Sequence, residues 1–196
     1  MTAKPPAPVT LTGTRVRLEP FGPAHLADLF EATGRDEEVW RWIPVPVPQT
    51  EQQLADRIGT WARSGFLPFA VVARETGRTV GLTCYLDISA DDERLEIGGT
   101  FYARSVWRTA VNTESKLLLL THAFEELGMG RVCWKTDSLN ERSQNAVRRL
   151  GASYEGTFRR SRQRADGSWR DTVYFSMLRD EWPAAKARLT ERLAAG

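Results

Sequence analysis

Between Leu95 and Leu150 the apolar pattern alternates between a period of two residues and one of about 3.6, which constrains the fold more than any other feature of the chain. Leu95–Tyr102 reads as a strand. Leu117, Leu120, Phe124 and Leu127 then recur at helical spacing, with Asn112 as the expected N-cap and Gly128 just past the end. Val132, Trp134 and Thr136 alternate again. Ser138 with Glu141 forms a capping box ahead of a helix through Ala146, Val147 and Leu150, which Gly151 closes. A strand–helix–strand–helix run brings both helix N-termini to one edge of the sheet, where α/β folds place their ligand crevice.

The flanking segments extend the same pattern. Val16 and Leu18 alternate with charged residues, and Pro23 suits the first position of a helix carrying Leu26, Leu29 and Phe30. Prolines 44, 46 and 48 force an extended path, after which Thr50 and Gln53 cap a helix bearing Leu54, Ile58 and Trp61. Phe69–Arg74 and Thr79–Leu86 pair about a turn at Glu75–Arg78. Ser153–Arg160 and Trp169–Leu178 pair about Asp166-Gly167, and Pro183, after an Asp180 cap, opens a last helix. The expected fold is a single α/β domain over residues 11–180, a mixed sheet flanked by helices. A flexible Pro-rich lead-in precedes it at 1–10, and a C-terminal helix follows at 181–196.

At 196 residues a chain can bury roughly 70% of its unfolded surface, so no disulfide or metal staple is needed. Lys+Arg (27) nearly balance Asp+Glu (25), which argues against a whole-chain nucleic-acid or membrane-surface binder. No apolar run approaches the ~18–20 residues of a bilayer span, and the start MTAKPPAPVT has no apolar signal core. The reading is a cytoplasmic protein whose Cys84 and Cys133 are buried thiols. Its two histidines, His25 and His122, make neither a zinc site nor a Ser-His-Asp triad the expectation, and no metal is predicted. The arginines at 159, 160, 162, 164 and 170 read as a solvated hairpin face.

Chemistry concentrates in two segments. In YARSVWRTAVNTES a strand runs into a helix start, whose unpaired N–H groups and dipole suit a phosphate or pyrophosphate, and Arg104 and Arg108 add charge beside it. KTDSLNERSQNAVRRLGA places Asn140 and Ser143 on one face of the next helix's first turn. They offer a carboxamide for an amide-bearing ligand and a hydroxyl for a leaving group, although both residue types also favour helix starts as caps.

Taken in order, NTESK opening the first helix, HAFEELG ending it, Asn140…Ser143, RLGA-x-x-EG at Arg149–Gly156 and the downstream DG…DTVYFS resemble the acetyl-CoA-binding core of the GNAT superfamily of N-acetyltransferases. The closer likeness is to the branch that acetylates ribosomal-protein N-termini, and the order of elements fits over about residues 10–180. The resemblance implies that backbone amides of Phe101, Tyr102 and Ala103 meet the pantetheine arm, and those of Arg108, Thr109, Ala110, Val111 and Asn112 the pyrophosphate. Asn140 would hydrogen-bond pantetheine, and Ser143 would protonate or solvate the departing thiolate. The acceptor would be a protein N-terminal amine or a small-molecule amine attacking the thioester directly, with a homodimer left open.

Two departures from the family pattern stand out. Its Q/R-x-x-G-x-G/A loop falls on Ser105–Ala110, so the first glycine is Arg108 and the second Ala110. The branch's glutamate falls near Arg162 and is not carried over, which leaves Glu96 as the first candidate base and Asp171, Asp137 or a water chain as alternatives. Trp40 and Trp42, beside the proline segment, are the expected walls of the acceptor site. The alternative reading is a non-catalytic acyl-CoA-binding regulator.

Overall fold

The computed structural model describes residues 2–164 and 166–195. In chain order the elements are β1 (Leu11–Thr12), β2 (Val16–Pro20), α1 (Leu26–Thr33), α2 (Glu37–Trp40), α3 (Glu51–Arg63), β3 (Leu67–Ala73), β4 (Thr79–Ser89) and β5 (Arg94–Tyr102). Then follow α4 (Val111–Thr121), β6 (Arg131–Asp137), α5 (Glu141–Leu150), β7 (Ser153–Gln163), β8 (Trp169–Leu178) and α6 (Trp182–Ala194). The strands form one eight-stranded sheet in the order β1-β2-β3-β4-β5-β6-β8-β7. Every neighbouring pair is antiparallel except β5 and β6, which α4 joins as a parallel crossover. The fold is therefore the mixed, mostly antiparallel α/β domain that the alternating periods imply.

Strand alternation gives the sheet two unlike faces. On one, Val16, Leu18, Phe69, Tyr85, Leu95, Ile97, Val132, Trp134, Val173 and Phe175 pack with residues of α4, α5 and α6 into the larger core. On the other, α1, α2 and α3 lay Leu29, Trp40, Leu54 and Ile58 over Leu82, Cys84 and Phe101. This second cluster contains no residue of β6, β7 or β8.

Several local expectations need correction. α4 begins at Val111 with Ala110 in the cap position and no side-chain cap, so Asn112 lies inside the first turn. α4 does not run regularly to Gly128, because His122–Glu126 forms a wider π-type turn. Asn140, not Ser138, caps α5, its side-chain oxygen accepting the Ser143 N–H at 3.0 Å. Glu181, not Asp180, precedes α6. The Pro-rich lead-in is partly anchored: Ala3 is buried and the Lys4 N–H donates to Leu127 O at 2.8 Å. α6 is no appendage, since Trp182, Ala185 and Leu189 belong to the larger core. Among the described residues, no helix is long and apolar enough to cross a membrane.

Candidate active site

The parallel ladder between β5 and β6 lasts for three pairs, Arg94 with Arg131, Leu95 with Val132 and Glu96 with Cys133, and then stops. Beyond Glu96, β5 continues to Tyr102 and β6 to Asp137 without pairing with each other, so the sheet opens into a fork. Irregular backbone accompanies the opening. The β4–β5 register shifts between Leu82 and Cys84, and Gly99 takes φ +56°, a conformation in which a Cβ would lie 3.1 Å from the Cys84 sulfur.

Both helix starts named from the sequence converge on this opening. Ala110 gives α4 no side-chain cap; the Thr109 hydroxyl takes the Val111 N–H, and among the described residues the Asn112 and Thr113 N–H groups have no protein partner and are available to an anion. The Arg142 guanidinium, in the first turn of α5, lies 3.9 Å from the centroid of the Trp107 ring in the loop ahead of α4. Trp107 is itself anchored, its indole N–H donating to Tyr102 O at 2.9 Å. Asn140 Oδ1 is committed to the Ser143 amide, which leaves the carboxamide NH2 as the group free to donate. Ser143 is half-buried and Asn112 lies one turn into α4.

The loop residues are placed unevenly. Arg108 adopts φ +63°, the left-handed conformation a glycine would take, and its side chain is exposed. Ala110 has φ −70°, which any residue adopts. Thr109 is exposed, its hydroxyl donating to Val106 O at 2.8 Å and accepting from the Val111 N–H at 3.3 Å. The Ala103 N–H, expected to meet the pantetheine arm, instead donates to Val80 O at 2.8 Å within the β4–β5 ladder. By strand alternation the Tyr102 amide then turns toward the open side, and that of Phe101 toward β4.

Glu96 is only 5% exposed rather than a solvated strand carboxylate, and Lys135 Nζ lies 2.8 Å from its Oε2. Burial pushes its carboxyl above the usual range, with Lys135 opposing. Lys135 reaches Asp87 at 3.2 Å and lies over the Tyr174 ring. Gly98 makes room for this pair, because a Cβ there would lie 3.0 Å from Glu96 Oε1. The other candidate bases are engaged. Burial works to raise the Asp137 carboxyl, but Arg164, at 2.6 and 2.9 Å, and the Leu139 N–H hold it below the usual range. Asp171 accepts the Arg160 N–H at 2.7 Å.

Trp40 offers no free ring face. It is 2% exposed, lies 4.6 Å from Phe101 and donates its N–H to Thr33 O. It does help line a cavity of about 590 Å³ with Pro46, Val47 and Pro48. Trp42 remains half-buried beside Arg41. A larger cavity of about 660 Å³, lined by Phe124 and Trp182, lies on the opposite face from Glu96. Both cysteines are buried and free.

Sequence reading missed three residues and misassigned two. Lys116 on α4 is 5% exposed, bonds Thr83 and Thr100 hydroxyls at 3.0 and 2.9 Å, and is driven by burial down to about 7. Its position on the stripe of Thr113 and Leu120 could have revealed it. Glu114 accepts the N–H groups of Thr14, Arg15 and Val16 at 2.7–2.8 Å, binding α4 to the first hairpin. Lys135 shares the strand face of Cys133, the Glu96 partner, so strand alternation could have exposed it. Arg170 is buried rather than part of a solvated hairpin face, and Arg164 is ion-paired.

Comparison with known proteins accords with this geometry. Residues 15–153 match the family described as Acetyltransferase (GNAT) domain. A Bacillus subtilis (strain 168) protein named "Putative ribosomal N-acetyltransferase YdaF" is 30% identical over 110 residues, which is 56% of this chain and 59% of that relative. A crystal structure of a GCN5-related N-acetyltransferase from Brucella melitensis superposes with TM-score 0.92 at 28% identity, covering 98% of this chain and 88% of the other. Mycobacterium smegmatis RimJ in complex with CoA-disulfide shares the fold at TM-score 0.81 and 22% identity, covering 94% and 95%. With its forked sheet, its uncapped helix start and a family match over most of its length, the chain belongs to the GNAT acetyltransferase family.

Proposed function

We propose that the protein is an acetyl-CoA-dependent N-acetyltransferase that acetylates a primary amine, with a protein or peptide N-terminal α-amine as the first acceptor class and a small free amine as the second. The observation that carries this reading is the end of the β5–β6 ladder at Glu96, beside an uncapped α4 start and the capped α5 start. The family match and the RimJ neighbour described in complex with CoA-disulfide support the co-substrate.

In this reading the amides of Ala110 and Asn112 at the start of α4 hold the pyrophosphate, joined by that of Val111 when it exchanges its 3.3 Å bond to the Thr109 hydroxyl. The Tyr102 amide and the Asn140 carboxamide NH2 hold the pantetheine arm. Exposed Arg108 can add a charged hydrogen bond to a phosphate oxygen. The acceptor nitrogen attacks the thioester carbonyl carbon, the carbon–sulfur bond breaks, and the Ser143 hydroxyl solvates the leaving thiolate by a hydrogen bond or passes it a proton that it regains from water. Glu96, raised by burial, takes the proton that the amine must lose, directly or through water. No step requires an acyl-enzyme, and both thiols sit buried with their ionisation suppressed, Cys133 pushed up to about 11.

Calorimetry with CoA and thiol release with N-terminal peptides and small amines test the proposal. Ser143→Ala should lower turnover more than CoA affinity, and Asn140→Ala should do the reverse. Absence of CoA binding at millimolar concentration would reject the enzyme and the acyl-CoA regulator together, whereas binding without transfer would leave the regulator.

A further inference from the structure

Arg170 presents an unsolved electrostatic problem on the Glu96 side of the sheet. Its side chain is 7% exposed, its Nε has no hydrogen-bond partner, and among the described residues its guanidinium forms no ion pair. Arginine keeps its charge inside proteins, so it cannot escape by losing a proton as a lysine can. An uncompensated buried cation is among the costlier features a fold can carry.

The nearby carboxylates do not solve it. Asp137 and Glu96 both attract Arg170, but Arg164 occupies both oxygens of Asp137, and Lys135 holds Glu96. Arg162 and Arg164 add further positive charge. The register fixes the location. Thr172 lies opposite Asp137 and Tyr174 opposite Lys135, and Arg170 shares their side of β8, the side on which Glu96 stands at the fork. Asp137, Arg170 and Thr172 are all buried there. The charge cluster around the candidate base is thus one carboxylate short.

We propose that Arg170 is the anion-binding residue of the acceptor groove and receives a carboxylate carried by the amine substrate. This rests on the reading of the chain as an amine acetyltransferase and narrows it. A guanidinium fork matches a carboxylate with two parallel hydrogen bonds, which orients the substrate as well as neutralising the charge. The carboxylate can be the α-carboxylate of a free amino acid or an acidic side chain close to a peptide's N-terminal amine. A polyamine, which brings only further cations, is excluded.

The test uses product-like probes on the CoA-loaded protein and, in parallel, on the CoA-free protein. N-acetylglycine is titrated against N-acetylglycinamide, and an N-acetylated dipeptide amide ending in Asp against its Asn counterpart. In at least one pair the carboxylate should bind about 30-fold or more tighter than its neutral partner, the cost of leaving a buried charge unpaired. Whichever pair shows the difference identifies the source. Arg170→Met should abolish the preference while Arg170→Lys retains part of it. For the matching amine substrate, Arg170→Met should raise KM with little change for the amide analogue. A merely structural arginine would instead lower the melting temperature of Arg170→Met without altering the carboxylate-to-amide ratio. Equal binding within both pairs, a preference that survives in Arg170→Met, or no binding of any probe overturns the proposal. Loss of CoA binding in the same titrations counts against the acetyltransferase reading, and acetyl transfer indifferent to the carboxylate counts against Arg170 alone.

Discussion

Replacing Lys116 with methionine should remove a pH dependence of stability that the fold builds in by burying an amine without a carboxylate. An ordinary lysine titrates near 10.5, whereas burial brings this one down to about 7. The unfolded chain therefore holds a proton that the folded chain has released throughout that interval, and stability rises with pH across it. At about 1.4 kcal/mol per pH unit the full interval corresponds to about 5 kcal/mol, of which about 3 kcal/mol accrues between pH 7 and 9.5. Methionine fills similar space without a charge, and Thr83 and Thr100 keep their mutual 2.8 Å hydrogen bond. The two lost bonds from the amine cost about 1 kcal/mol each. Lys116→Met should therefore be more stable than the parent by about 3 kcal/mol below pH 7, with the gap nearly closed by pH 9.5. Urea unfolding of both proteins across that range measures it. Curves that run parallel would show that Lys116 is not held neutral and that the desolvation argument fails.

Three further outcomes follow from the same geometry. Lys135→Met removes the charge that opposes the burial-raised carboxyl of Glu96, so the acidic limb of the transfer rate should move to higher pH; an unmoved limb would remove Glu96 as the base. Arg108→Gly should stabilise the protein by about 1 kcal/mol in chemical unfolding, because position 108 already holds a left-handed φ of +63°. Glu114→Ala should cost about 3 kcal/mol or more, read in the same assay, by leaving the amides of Thr14, Arg15 and Val16 without their acceptor.

The contrast between Arg108 and Arg170 shows how far one sequence reaches. Position 108 could be questioned from the chain alone, because a motif expected glycine there, and the positive φ supplies the reason. Nothing local separates Arg170 from Arg159 or Arg160 in the same basic hairpin. Its burial comes from facing β6, whose Asp137 lies opposite Thr172, and from the ion pair that Arg164 makes with Asp137. Asn140 and Ser143 were legible together because a helix start is written in a few adjacent residues. The expected caps at Asn112, Ser138 and Asp180 misplaced the boundaries by one or two residues, since several polar side chains near a helix end compete for the same amides.

What the sequence by itself determined is the order of elements apart from the short β1 and α2, the crossover through α4 and the two helix starts at one sheet edge, because periodicity, capping and turn chemistry act over a few residues. Only the tertiary structure decided where the β5–β6 ladder ends and which charges lose their water. Glu96, Lys116, Lys135 and Arg170 owe their states to strands and helices far apart in the chain. Desolvation is a property of everything packed around a group, so no local pattern encodes it.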